Sequence, residues 1–263
     1  MRKKTGRILA ACLGALLLFV CWLIWSPVQG VPVLEYHMTG DDALPDELPY
    51  IVPQADLAAQ LDYLQAAGYT TITMRDYLAA RQGEYTLPAK PVILTFDDGY
   101  EDNYTVLLPE LEQRGMCATV YVVTNDVGLD RYLTWAQLQD MQRRGIEIGG
   151  HTADHLPLTT LAPEEQERQL RLSRQLMEMY GLQAVVSFSY PNGAYDEAIA
   201  QRVREAGYQT AVTGDAGLNQ PDTNPYELQR INVAHPRFGL TEFRLRLLKG
   251  EIMTKLHWHQ HKI

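Results

Sequence analysis

Residues 95–99 read Thr-Phe-Asp-Asp-Gly, and residues 151–155 read His-Thr-Ala-Asp-His. Two adjacent carboxylates and two imidazoles four residues apart are donors suited to a divalent ion such as zinc. Three such groups can hold the ion, and the spare carboxylate can take a proton from the water it polarises, which is hydrolytic chemistry. Neither pentad suffices alone. Asp-Asp-Gly is also ordinary turn chemistry. His151 and His155 do not form the zincin pattern, because Thr152 stands where that pattern needs glutamate. What counts is the pairing, since each pentad leaves a short apolar run.

Those runs must position the donors. Pro91 to Phe96 is short, β-branched and opened by proline, the signature of a buried strand. Neighbouring residues on a strand face opposite sides; Gly99 can turn the chain so that Asp97 and Asp98 both reach one cavity. Gly145 to Gly150 is a second such strand. The histidines after it either share a helical face or converge from a loop. Further strand-like runs fall near 31–36, 69–73, 116–123, 185–190, 208–213 and 229–233. Helical runs lie between them: 55–67, 101–114, 135–143, 163–180 with Thr160 as a possible cap, and 196–206 with Asp196 as cap. Alternating strands and helices imply parallel strands with helices outside, and seven or eight such units suggest a barrel with its site at the strand ends. Residues 39–53 read as an acidic, proline-bearing surface loop, and the histidine-bearing tail 256–261 as a frayed end.

At these residues the chain resembles the polysaccharide deacetylases of the NodB-homology type, carbohydrate esterase family four. Their first two motifs, Thr-Phe-Asp-Asp-Gly and His-(Ser/Thr)-x-x-His, stand here unsubstituted. The resemblance covers roughly residues 31–235. It implies an α/β fold, a distorted, incomplete (β/α) barrel. It further implies Asp97 as general base and Asp98, His151 and His155 as ligands of a divalent metal, zinc for preference.

The third motif departs from the family's Arg-x-Pro-Tyr-Gly, reading Ser189-Tyr190-Pro191-Asn192-Gly193. Ser189 replaces the arginine expected to hold the catalytic aspartate, and Arg230 is the candidate substitute. Asn192 replaces the tyrosine whose backbone N–H helps bind the oxyanion, a role that survives a side-chain change. The family's C-terminal Leu-x-His, source of the general acid, is missing; His235 is badly spaced for it. The strand Val31 to Tyr36 ends at His37, resembling the Tyr-His strand of the biofilm poly-N-acetylglucosamine deacetylases, where the acid comes from the first strand. His37 is therefore the expected acid.

Arg2, Lys3, Lys4 and Arg7 precede an uncharged stretch from Ile8 to Trp25. It reads as a transmembrane helix, an uncleaved single-pass anchor with its basic end in the cytoplasm. Residues 1–29 would form the stub and anchor, and 30–263 an extracytoplasmic catalytic domain bound to the cell membrane through that helix. Cys117 is the single cysteine outside the stretch, so no internal disulfide is expected there. The chain holds 23 basic against 32 acidic side chains, which disfavours nucleic acid and suits a neutral or cationic glycan. The expected activity is removal of N-acetyl groups from a poly-N-acetylglucosamine-like surface polysaccharide by attack of metal-bound water. Alternatives are a peptidoglycan or O-acetyl ester deacetylase, or an inactive glycan-binding member.

Overall fold

The apolar strand runs generate a sheet buried on both faces, as parallel strands covered by helices require. The computed structural model describes residues 2–26 and 28–258. In chain order its elements are α1 (Arg2–Trp25), β1 (Val33–Tyr36), β2 (Met38–Thr39), β3 (Ile51–Val52), α2 (Gln54–Ala66), β4 (Thr70–Thr71), α3 (Met74–Arg81) and β5 (Pro91–Phe96). A π-helical turn (Asn103–Leu107) then runs into α4 (Leu108–Arg114), followed by β6 (Thr119–Val122), α5 (Trp135–Arg143), β7 (Glu147–Gly150), α6 (Pro163–Met179) and β8 (Ser187–Ser189). A 3₁₀ turn (Pro191–Gly193), α7 (Glu197–Glu205), β9 (Thr210–Val212), β10 (Ile231–Asn232) and α8 (Gly239–Lys255) complete it.

The main sheet has the order β10-β1-β5-β6-β7-β8-β9, with β4 against the start of β5. All of its ladders are parallel. Its two ends approach without a full ladder: a single parallel bridge joins Val212 to Leu228. The result is an open, distorted half-barrel.

Side-chain alternation sorts the strands into two layers. Leu34, Tyr36, Leu94, Phe96, Val120 and Val122 pack outward against the helices. Val33, Ile93, Tyr121 and Val212 fill the inside. Continuing each inward row along β1, β5 and β7 delivers His37, Asp97 and His151 to one end. A polar plug closes the other end. There Glu147 accepts hydrogen bonds from Ser187 Oγ at 3.0 Å and from the backbone N–H of Arg75 at 2.8 Å.

All eight expected strands are present. Helices α3 and α8 were not foreseen, nor the two-stranded β2–β3 pair inside the expected surface loop 39–53. The wide π turn accommodates Pro109, which cannot continue a regular hydrogen-bond ladder. Asp196 caps α7 as expected, its carboxylate accepting from Ile199 N at 2.7 Å. Thr160 does not cap α6: Ala162 occupies that place, and the Thr160 hydroxyl bonds back to Pro157 O. Half of the expected tail, residues 259–261, lies outside the described residues.

The expected anchor is corrected. Among the described residues no helix is long and apolar enough to cross a membrane, which removes the basis for a transmembrane helix, a membrane partner and a membrane location. The far end of α1 also meets a charge: Lys255 Nζ donates to Leu23 O at 2.7 Å, an arrangement costly in hydrocarbon.

Candidate active site

Asp97 continues the inward row of β5 and is 2 % exposed. A carboxylate so buried needs a partner, and it has an unusually complete one. Arg230 Nη1 lies 2.8 Å from Oδ1 and Nη2 2.8 Å from Oδ2, a bidentate fork. Ser189 Oγ donates to Oδ2 at 3.0 Å. Arg230, itself 2 % exposed, is steadied by Nε donating to Thr213 O at 3.0 Å. The guanidinium missing from the third motif is thus supplied from just before β10, while the serine in its place still touches the same carboxylate. Burial alone would raise the Asp97 carboxyl, but the Arg230 charge holds it well below the usual range.

Asp98 takes a left-handed backbone, φ 75°, and Gly99 follows at φ 81°. The turn therefore begins one residue earlier than the glycine suggested, and it swings Asp98 to the same end as Asp97. Asp98 Oδ1 lies 3.4 Å from His151 Nε2 and 3.3 Å from His155 Nε2. That oxygen is buried and accepts no hydrogen bond. An orphaned carboxylate oxygen facing two imidazole nitrogens is what a divalent ion would satisfy. The three donor atoms lie within 4.8 Å of one another, so the residues present fit such an ion.

The imidazoles converge from a loop, not from a helix. Thr152 and His155 have φ 67° and 55°. His151 Nδ1 sits 2.7 Å from Ser189 O. A carbonyl can only accept, so Nδ1 carries a proton, and Nε2 is the nitrogen left to face Asp98. Buried Gln169 of α6 fastens the loop, its Oε1 accepting from Ala153 N at 3.1 Å and Asp154 N at 3.0 Å. The Asn125 and Asp154 side chains close it from outside. Burial lowers His155, as does the neighbouring His151. For His151 the burial effect is outweighed by the Asp98 and Asp97 carboxylates, and its value rises.

His37 lies on the other side of Asp97. One donor atom each from Glu35, His37 and Asp97 falls within 4.8 Å of the others. This second group is no metal site, because the Arg230 cation already occupies it, reaching Glu35 Oε1 at 3.5 Å. His37 Nδ1 is buried without a hydrogen-bond partner, and its carbonyl accepts from Asn103 Nδ2 at 3.1 Å. His235 is different: its side chain is exposed, and its backbone N–H bonds Ile51 O at 3.2 Å. Asn192 is exposed in the turn after β8 at φ 58°, a conformation that asparagine tolerates better than most side chains.

Glu35 and Gln169 escaped the sequence reading. Glu35 carried a weak signal, two residues before His37 and so on its face of the strand. Gln169 carried none, being one of several polar residues in a polar helix.

Comparison with known proteins agrees with this geometry. A family model described as polysaccharide deacetylase matches residues 84–211. YxkH of Bacillus subtilis (strain 168), whose name places it among polysaccharide deacetylases, is 32% identical over 214 residues, covering 81% of this chain and 75% of that protein. The poly-beta-1,6-N-acetyl-D-glucosamine N-deacetylase of Escherichia coli (strain K12) is 26% identical, covering 81% of this chain but only 38% of its own length. The Streptococcus pyogenes deacetylase PplD, solved in complex with acetate, superposes with a TM-score of 0.75 at 25% identity, covering 83% of this chain and 98% of PplD. IcaB from Ammonifex degensii shares the fold, with a TM-score of 0.72 at 24% identity over 86% of this chain and 98% of IcaB. With both motifs, the half-barrel and a relative matched along most of its length, the chain belongs to the polysaccharide deacetylase family and is an enzyme of that kind.

Proposed function

We propose that this enzyme removes N-acetyl groups from a poly-N-acetylglucosamine-like glycan, with a divalent ion, zinc for preference, held by Asp98, His151 and His155. The observation that carries the reading is the buried, unpartnered Asp98 Oδ1 facing two imidazole nitrogens at 3.3 and 3.4 Å. One carboxylate and two imidazoles suit zinc. When bound, the ion supplies Lewis-acid polarisation of the acetamide carbonyl and of a nearby water.

The chain's own groups do the rest. Asp97 accepts the proton of the attacking water. Arg230 and Ser189 hold it in place and keep it ionised. The backbone N–H at Asn192 contributes a donor to the developing oxyanion. His37 donates a proton to the leaving amine. Acetate and a glucosaminyl amine are the products.

The match to the E. coli enzyme over 81% of this chain supports the glycan assignment. The peptidoglycan-N-acetylglucosamine deacetylase of Bacillus cereus matches only 47% of it. The inactive alternative rested on the missing arginine, and Arg230 removes that ground. The test is acetate release from β-1,6-linked N-acetylglucosamine oligomers by metal-stripped and zinc-reloaded protein, with peptidoglycan fragments alongside. Activity that returns with zinc on the β-1,6 oligomers supports the reading. Equal activity with and without metal sinks it.

A further inference from the structure

The segment between β2 and β3, residues 40–50, has its ends tied together by the parallel pairing of Met38 with Ile51 and Thr39 with Val52. It folds on itself, with Glu47 N bonding Leu44 O and Tyr50 N bonding Glu47 O, as a compact Ω-like loop. Asp41 Oδ1 accepts from Gln54 N at 3.3 Å where α2 begins, and Arg131 fastens the loop to the barrel. Arg131 donates from Nε to Glu47 Oε1 at 3.1 Å, and from Nη2 to Glu47 Oε2 and to Asp42 O, both at 2.8 Å. Arg131 does this from a left-handed backbone, φ 69°, which a non-glycine residue adopts only where its surroundings enforce it. The fastened loop places Tyr50 beside the site: its ring centroid lies 5.5 Å from that of His37, tilted by 50°. Tyr50 is nevertheless 49% exposed. An aromatic ring held half-open against a proposed acid is poorly explained by core packing and well explained by a ligand that covers it.

We propose that Tyr50 is a substrate-binding platform on which the pyranose ring bearing the acetamide lies, and that Arg131 is the positioning residue that holds this platform at His37. The proposal rests on the deacetylase reading and deepens it by naming the residue that binds the sugar ring and the one that positions it. A β-linked gluco-configured hexosamine carries its substituents equatorially and presents a C–H-lined face that matches an aromatic ring. A small acyl ester without a ring has no such face.

The test uses the full chain and the β-1,6-linked pentamer of N-acetylglucosamine. Binding is measured by calorimetry on metal-stripped protein, and KM on zinc-reloaded protein. Tyr50→Ala weakens binding and raises KM about tenfold, the size expected for losing one aromatic contact face. Tyr50→Phe behaves as wild type. Arg131→Ala raises KM as well, and the double variant is no worse than Tyr50→Ala, because both act through one ring. Should Tyr50→Ala fold poorly, Tyr50→Leu keeps apolar bulk without a ring face and shows the same weakening. Wild-type affinity in the alanine or leucine variant, additive effects in the double variant, or no oligosaccharide binding by the unsubstituted chain would each overturn the proposal. If the reloaded chain releases no acetate while the Tyr50-dependent binding persists, the platform stands and the hydrolytic reading fails instead.

Discussion

Arg230 and Asp97 meet edge to edge, both nitrogen–oxygen pairs at 2.8 Å, with each residue 2 % exposed. The pair joins the loop before β10 to the end of β5, so it sets the proposed catalytic carboxylate and also ties one end of the open sheet to its middle. Removing the cation leaves Asp97 and Glu35 buried and uncompensated. Arg230→Ala is expected to lose about 3–5 kcal/mol of stability, measurable by chemical denaturation. Arg230→Lys keeps the charge but not the fork, and should recover part of the stability while acetate release stays depressed.

The same pair fixes how stability responds to acid. The Asp97 carboxyl lies below its ordinary value of 3.8 in the folded protein. Between those two values the unfolded chain binds a proton that the folded chain does not. The contribution is therefore fully present above pH 3.8 and is lost as pH falls towards the folded value. Wild-type protein should lose stability more steeply than Asp97→Asn on acidification below about pH 4. Parallel unfolding curves for the two would contradict the depressed value.

Metal binding should release protons in a residue-specific way. Without metal, His155 is lowered and His151 raised from 6.5. His151 therefore keeps its proton to higher pH than His155 does, and it must give that proton up to serve as ligand. Zinc titrations in buffers of different ionisation heat should show protons released on binding, more of them as the pH falls. The release should be smaller in His151→Ala than in His155→Ala.

Assigning the base and the acid needs three variants. Asp97→Asn should abolish acetate release with zinc content near that of wild type. His37→Ala should slow release by roughly 10²–10⁴ with zinc retained, whereas His235→Ala should leave it unchanged. Reversal of the two histidine results would reassign the acid.

Gln169 is not one of the proposed ligands, yet it fastens the loop that carries both histidines. Gln169→Ala should weaken zinc affinity about 10–100-fold, as loss of supporting contacts around a metal site does. Competition with a chromophoric chelator would measure this.

Much of this site was legible because its chemistry is local in sequence. Asp97 with Asp98, and His151 with His155, each stand at the end of an apolar run, and inward alternation along β1 then aligned His37 with them. What stayed hidden is long-range. Arg230 is separated from Asp97 by most of the fold, so the sequence offered it only as a candidate for the missing guanidinium, and the closing of the sheet is what brings the two together. Gln169 and the β2–β3 pairing likewise depend on contacts between distant segments. Helix α8 lacks a clean one-sided apolar pattern, burying Phe243, Leu247, Gly250 and Met253 among charged neighbours. The apolar run of α1 reads as a membrane span by its length and aromatic ends, whereas the contact of Lys255 with Leu23 O forms only through folding.

Asp98, Thr152, His155 and Asn192 all hold positive φ without being glycine. Each such residue costs on the order of 1 kcal/mol relative to a relaxed backbone. Durability and turnover are therefore opposed at the same positions: relaxing Asp98 to glycine should give a metal-free protein more resistant to heat than its parent, and one unable to hydrolyse anything. Selection for a hardier chain alone would erode these turns first, so their retention is what the proposed chemistry demands of the backbone.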